Sequence, residues 1–118
     1  MTSKNQRSVH MSTYNKLIRD RIPETLEQSG KKFTVETLNH DRYILELKKK
    51  LNDEIVEYQD AATNEEALEE LADMLEVIYS LTAVHKSSVE ELEKIRANKA
   101  AERGSFEDKL YLSEVEDE

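Results

Sequence analysis

Two long helical segments that follow each other almost directly, Asp41–Ala61 and Asn64–Lys86, limit what this chain can fold into. Each carries apolar residues at intervals of three and four, which is the spacing of an amphipathic helix. The polar stretch Ala61–Glu65 lies between them and contains Asn64, a residue that favours the N-cap of a helix. Helices joined by so short a connection are antiparallel neighbours. The sequence therefore predicts an all-α helical bundle built around this hairpin.

The second segment is apolar over most of its circumference, and Glu70, Asp73 and Val77 form a second, narrower face beside its main stripe. A helix of this kind is usually buried in a bundle, which in a chain this short indicates assembly of several copies. We therefore expect a homodimer or a homotetramer. The apolar stripes are Ile44, Leu47, Leu51, Ile55 and Tyr58 on the first segment, and Leu68, Leu71, Ala72, Leu75, Ile78, Tyr79 and Thr82 on the second.

Two pairs of carboxylates lie beside these stripes, Glu54 with Glu57 and Glu70 with Asp73. Residues three apart share one face of a helix, so the hairpin would bring the four acids together. Like charges gather in a helix interface only with a counter-charge, and oxygen ligands suit Mg²⁺ or Mn²⁺. The alternative is two solvated helix faces with lysine partners. We predict Lys48–Lys50 on the solvated side of the first segment.

Composition narrows the class of protein. The chain has 118 residues, 36% of them charged, with two glycines and one proline, which is typical of one mostly helical soluble domain. A net charge of −9 makes nucleic acid a poor partner. The absence of cysteine excludes disulfides and thiolate chemistry. The most apolar run, Met74–Val84, is too short to span a membrane, so the cytoplasm is the expected location.

The first twelve residues are polar and lack a helical or strand pattern. We predict that residues 1–12 form a disordered tail ahead of a single domain, residues 13–118. The pair His10-Met11 is often left at a cloning junction, so Met11 is one candidate for the natural start, and a native flexible tail is the alternative.

A basic segment follows, with Lys16, Arg19 and Arg21 in an otherwise acidic chain. It would either bind an anion or form a solvated basic face. Pro23 suits the first turn of a short helix, residues 23–28, which Gly30 would end.

Later in the chain, Lys32–Leu38 alternates weakly like a strand and could pair with Lys109–Val115 in a small two-stranded ribbon. Ser88 begins a Ser-x-x-Glu capping box, which predicts a last helix that runs to Arg103 and ends at Gly104.

Three sequence blocks in this order resemble the MazG-like, all-α nucleoside triphosphate pyrophosphohydrolases, in the branch labelled phosphoribosyl-ATP pyrophosphohydrolase-like. The resemblance covers about residues 14–116. Its blocks are Tyr14-Asn15-Lys16-Leu17-Ile18-Arg19-Asp20-Arg21-Ile22-Pro23, then Glu54-x-x-Glu57 with Glu70-x-x-Asp73, and Asn98-Lys99-Ala100-Ala101-Glu102-Arg103-Gly104-Ser105-Phe106.

The resemblance implies a helical bundle whose active site lies between helices and is completed by oligomerisation. It also implies Mg²⁺-dependent hydrolysis between the α- and β-phosphates of a nucleotide, giving a monophosphate and pyrophosphate. The metal ligands and catalytic residues would be Glu54, Glu57, Glu70 and Asp73, the phosphate ligands Lys16, Arg19, Lys99 and Arg103, and the ribose or base contacts Asn15 and Asn98.

The substrate stays open at this point. Phosphoribosyl-ATP, an intermediate of histidine synthesis, and a surplus or non-standard nucleoside triphosphate are both candidates. A different class of function, a non-catalytic acidic helical module that binds a partner protein, is the second hypothesis. The basic blocks near both ends of the chain favour the enzyme.

Overall fold

The computed structural model describes residues 10–117, and this part of the chain contains four helices and no strand. The prediction of an all-α fold is confirmed. The predicted ribbon of Lys32–Leu38 with Lys109–Val115 is wrong within one chain: neither segment is a strand, and the exposed Leu110, Tyr111 and Leu112 lack the packing support that a two-stranded ribbon needs. The predicted tail lies mostly outside the described residues. The helices are α1 (Ile22–Gln28), α2 (His40–Asp60), α3 (Asn64–Val84) and α4 (Val89–Arg103).

Side-chain caps set where the three long helices begin. Asn39 accepts a hydrogen bond from the backbone N–H of Arg42 at 2.9 Å and caps α2. Ser88 does the same for α4, as the capping box predicts. The cap of α3 is Thr63, one residue before the predicted Asn64, because the Thr63 hydroxyl accepts from the N–H of Glu66 at 3.1 Å.

Residues with positive φ follow three of the four described helices, α1, α3 and α4. Gly30 has φ +70° after α1, and Gly104 has φ +83° after α4, as predicted from their positions. Helix α3 ends in the same way at Lys86, which has φ +60° and donates its N–H to the carbonyl of Ala83 at 2.9 Å. A non-glycine residue in this region carries a conformational cost of about 1–2 kcal/mol.

The connection at residues 61–63 turns α3 back along α2, and this hairpin contains the core. Helix α4 contacts α3 alone, and α1 contacts no other helix. Only three described residues are buried: Leu47 and Glu54 on α2 and Val77 on α3. None of the described helices is long and apolar enough to cross a membrane.

Helix α3 lies against α2 through its narrower face. Val77 on that face is 8% exposed, whereas Leu68, Leu71 and Leu75 of the main stripe are 67%, 42% and 45% exposed. The sequence alone made the leucine stripe the stronger candidate for the core, and in a single chain it is not. The reason is that α2 carries its own carboxylate, Glu54, in the interface, which leaves the leucines on the opposite side.

The chain is more extended than a compact domain. Its radius of gyration is 21.0 Å and its longest dimension is 81 Å, against a radius of about 13–14 Å for a compact domain of similar length. Residues 105–117, which we call the C-terminal arm, contribute to this shape, since Phe106 and Tyr111 are 97% and 91% exposed.

Candidate active site

Helices α2 and α3 bring three carboxylates together in the middle of the hairpin. Glu54, Glu57 and Glu70 each offer an oxygen, and these oxygens lie within 4.8 Å of one another. Glu54 is buried, Glu70 is half-buried and Glu57 is exposed. We call these three residues the acidic cluster; they are three of the four acids that the helical spacing predicted to meet.

The acidic cluster has fewer donors than it has oxygens. Glu54 Oε2 and Glu70 Oε2 are buried, and neither accepts a hydrogen bond from another described residue. The nearest described cation is Lys50, whose Nζ lies 3.7 Å from Glu54 Oε1. Buried carboxylate oxygens without a partner are unfavourable, because they have lost their hydration. The negative charge of the site is therefore not fully compensated, and a cation or a bound proton would stabilise it.

The pKa values of the acidic cluster show the same uncompensated charge. Burial, followed by the neighbouring carboxyl groups of Glu70 and Glu57, raises the pKa of Glu54 to about 7. The interaction with Glu54 lowers the pKa of Glu70, but burial and the charge of Glu57 outweigh it, so that this pKa is raised as well. Without a cation, the acidic cluster shares a proton near neutral pH.

Asp73, the fourth predicted acid, is held by an arginine. Arg19 Nη2 lies 2.7 Å from Asp73 Oδ1 and donates a hydrogen bond to it. Asp73 is close enough to the acidic cluster for its charge to raise the pKa of Glu70. This contact attaches the basic N-terminal segment to α3 at the border of the acidic cluster.

The same N-terminal segment lies against α2. Asn15, Lys16 and Leu17 line a shallow cleft together with a row of α2 side chains. Asn15 has φ +50°, a backbone conformation that asparagine tolerates better than most residues. The α2 residues in this cleft are Glu46, Lys49, Lys50 and Asp53.

Lys50 joins this cleft to the acidic cluster, a position that was not predicted from the sequence. We predicted Lys48–Lys50 on the solvated side, but Lys50 is half-buried and paired with Glu54. The spacing of four residues between Lys50 and Glu54 was the available signal, since side chains at i and i+4 meet on a helix.

The three polar residues predicted near the end of α4 do not reach the acidic cluster in this chain. Asn98, Lys99 and Arg103 are exposed in the last two turns of α4. No hydrogen bond or ion pair within residues 10–117 joins them to the carboxylates of α2 and α3. Their predicted contacts with substrate stay predictions.

The residues of the acidic cluster fit a divalent cation. Their ligands are oxygens only, which suits Mg²⁺ or Mn²⁺. Two of the oxygens are buried and unpartnered, and a cation would satisfy both. An all-α hairpin with a carboxylate cluster between its helices and basic residues beside it places the chain among helical proteins whose acidic cluster could bind a metal ion.

Comparison with known proteins identifies the family. Residues 11–103 match the family described as phosphoribosyl-ATP pyrophosphohydrolase, and the chain belongs to this family, within the MazG-like all-α nucleoside triphosphate pyrophosphohydrolase superfamily. Members of such a family are hydrolases that act on phosphoric anhydrides and are in general metal-dependent.

Part of the chain is also similar to a curated protein. The chain is similar to an uncharacterised protein of Mycolicibacterium smegmatis, with 43% identity over 53 residues, which is 45% of this chain and 54% of the relative. The matched region thus spans about half the length of that protein. No solved structure matches the chain.

Proposed function

We propose that this protein is a Mg²⁺-dependent nucleotide pyrophosphohydrolase. It cleaves a nucleoside triphosphate, or phosphoribosyl-ATP, between the α- and β-phosphates and releases a monophosphate and pyrophosphate. The observation that carries the proposal is the acidic cluster with its unpartnered buried oxygens, next to a basic segment whose Arg19 pairs with the neighbouring Asp73. Family membership supports the type of reaction.

The carboxylates would bind the cation and handle the proton. Glu54, Glu57 and Glu70 would hold Mg²⁺ or Mn²⁺, with Asp73 joining them once Arg19 leaves it. The bound cation would supply neutralisation of the charge on the polyphosphate. A carboxylate of the site would orient the attacking water and accept its proton. The exposed position of Glu57 leaves this side chain accessible to substrate.

Basic residues would hold the phosphates. Arg19 and Lys16 lie on the segment that borders the acidic cluster, and an arginine can bind two phosphate oxygens at once. Lys99 and Arg103, together with Asn98, would join them from α4, while Asn15 would contact ribose or base. In the described chain α4 keeps these groups away from the acidic cluster, so they would act on a site formed with another copy.

A substrate panel tests the reaction. The protein with Mg²⁺ should convert at least one member of a panel of nucleoside triphosphates and phosphoribosyl-ATP to monophosphate plus pyrophosphate, resolved by ion-exchange chromatography. Glu57→Gln should abolish turnover, while Glu69→Gln, an exposed neighbour outside the acidic cluster, should not. Orthophosphate as the product, or no turnover across the panel, would overturn the proposal and favour the protein-interaction module.

The basic residues have their own test. Lys99→Ala and Arg103→Ala should each reduce kcat/KM, by an amount equivalent to about 2–4 kcal/mol for a phosphate contact in a desolvated site. Mg²⁺ affinity should be unchanged, because neither residue is a cation ligand. Lys94→Ala, on the same helix but outside the motif, is the matched control. Wild-type kinetics in both variants would show a solvated helix end.

We also propose that the protein is a homodimer or homotetramer. The supporting observation is the leucine stripe of α3, where Leu68, Leu71 and Leu75 are between 42% and 67% exposed. A chain with two buried apolar residues in its described part has little core of its own. Light scattering coupled to gel filtration tests this, and a mass of 13.7 kDa at micromolar concentration would contradict it.

A further inference from the structure

Two non-helical segments of the described chain have unpaired backbones. Neither residues 32–38 nor residues 110–117 take part in a backbone–backbone hydrogen bond. Exposed N–H and C=O groups in a row form a template on which another strand can add. The sequence pattern predicts strands in these two segments, and within one chain they do not pair with each other.

The C-terminal arm also carries apolar side chains with no cover. Leu110, Tyr111 and Leu112 are 89%, 91% and 77% exposed. Single exposed apolar residues are ordinary, but a run of three on a projecting arm is not. The arm has the composition of a segment that packs against something, and no described residue of its own chain covers it.

The charges of the two segments are complementary. Residues 31–38 contain Lys31, Lys32 and Glu36, and Glu36 is already paired with Arg42 at 3.1 Å. The segment is therefore positive. The C-terminal arm has five carboxylates against one lysine: Glu107, Asp108, Glu114, Glu116 and Asp117, with Lys109. Opposite charges steer the arm towards the segment and disfavour pairing of two arms.

We infer that the C-terminal arm of one copy crosses to a second copy and pairs as a β-strand with residues 31–38 of that copy. The inference rests on the proposed homo-oligomer and goes beyond it by naming the segments that are exchanged. Exchange of an identical element between copies is an accessible route to a dimer. The receiving segment leads directly into the Asn39 cap of α2, so the ribbon would rest on a helix and gain the support that an isolated ribbon lacks.

Thiol cross-linking tests the exchange, because the natural chain has no cysteine. Val35→Cys and Tyr111→Cys are made as separate full-length variants, refolded together and treated with a short bis-maleimide. The mixture should give a covalent dimer, with the two introduced thiols joined in a single cross-linked peptide by mass spectrometry. Tyr111→Cys mixed with Lys94→Cys, an exposed position on α4, is the control and should give several times less dimer.

A variant with both substitutions in one chain separates exchange from pairing within the chain. It should give covalent dimers and larger species, and no internally linked monomer. Internally linked monomer as the main product would overturn the inference, as would a dimer yield from the mixed variants no higher than that of the control mixture.

A second measurement uses no cysteine. Leu110→Asp with Leu112→Asp should raise the dissociation constant of the oligomer by about tenfold or more. Ser113→Asp adds charge to the same arm without removing an apolar side chain and should change it much less. An unchanged dissociation constant in the leucine variant overturns the exchange. If the oligomer hydrolyses nucleotide but fails these tests, only the arm exchange is wrong. If the protein passes these tests but is inactive, only the proposed function is wrong.

Discussion

The two faces of α3 carry the opposite of what an isolated chain would favour. Carboxylates lie on the face packed against α2, and leucines lie on the face turned to solvent. Glu70 and Asp73 lie on the inner face with Val77, while Leu68 and Leu75 lie on the outer face. The inner face thus weakens the isolated chain, and its acidic cluster could bind a metal ion. The outer face can stabilise the fold only by contact with another surface. Under the proposals made above, the inner face would depend on a bound cation and the outer face on another protein surface, so the difference separates the proposed function from the proposed assembly.

The largest effect on stability and assembly is expected from a substitution on the outer face. Leu75→Glu should dissociate the oligomer and lower the free energy of unfolding by roughly 2–3 kcal/mol per chain, because it removes a leucine from an apolar interface and places a charge there. Urea unfolding and light scattering measure the two changes. Glu76→Gln, the next residue and also exposed, is the control. An unchanged mass and unfolding curve for Leu75→Glu would show that the outer face has no partner.

Binding of Mg²⁺ at the inner face should change the free energy of unfolding by a similar amount in the opposite direction. Mg²⁺ at a hundredfold excess over its dissociation constant should stabilise the wild type by roughly 2.7 kcal/mol, by mass action. In Glu57→Gln and Asp73→Asn this stabilisation should largely vanish, while the stability without Mg²⁺ stays level or rises because a like charge is gone. Thermal melts with and without Mg²⁺ measure both. A wild-type melt that ignores Mg²⁺ would contradict a cation site.

Protonation provides a third test of the inner face. The pKa of Glu54 is about 7 in the folded chain and 4.5 as its ordinary value, so the native state binds more protons than the unfolded chain between these pH values. The free energy of unfolding should therefore fall as pH rises from 4.5 to 7, by about 1–3 kcal/mol. Chelator-treated protein unfolded by urea at several pH values gives the slope. Glu54→Gln should flatten it, and an equal slope in that variant would assign it to other groups.

The smallest effect is expected where neither face is touched. Lys86→Gly relieves the left-handed backbone at φ +60° that ends α3. The gain is partly offset by the greater freedom of glycine in the unfolded chain, so a stabilisation of about 0.5–1 kcal/mol is expected. It should be the same with and without Mg²⁺. A thermal melt checks it, and destabilisation would mean that the lysine side chain contributes a contact of its own.

Local rules predicted much of this molecule. Helix ends depend on a few neighbouring residues, so Ser88 and Gly104 could be assigned from the sequence, and the cap of α3 was predicted at Asn64, one position after Thr63. The meeting of Glu54, Glu57 and Glu70 followed from helical spacing and a short connection. These features involve neighbours in the chain, where geometry leaves few alternatives.

What the sequence could not predict depends on contacts between distant elements. Both faces of α3 fit a bundle by pattern, and only packing against α2 decides that the carboxylates lie inside. The pairing of Arg19 with Asp73 joins residues 54 positions apart, and no local spacing indicates it. The predicted ribbon was wrong for the same reason. Alternation of apolar and polar residues indicates a strand but does not identify the segment with which it pairs.

The bond between Arg19 and Asp73 has a consequence for how substrate would enter. Both side chains are largely open to water, 58% and 40% exposed, and an ion pair of this kind is worth under about 1 kcal/mol and weakens as salt rises. The ion pair that joins the N-terminal segment to α3 can therefore break at small energetic cost. A polyphosphate bound at the hairpin, as proposed, would compete with Asp73 for the Arg19 guanidinium, and breaking this weak ion pair would cost little.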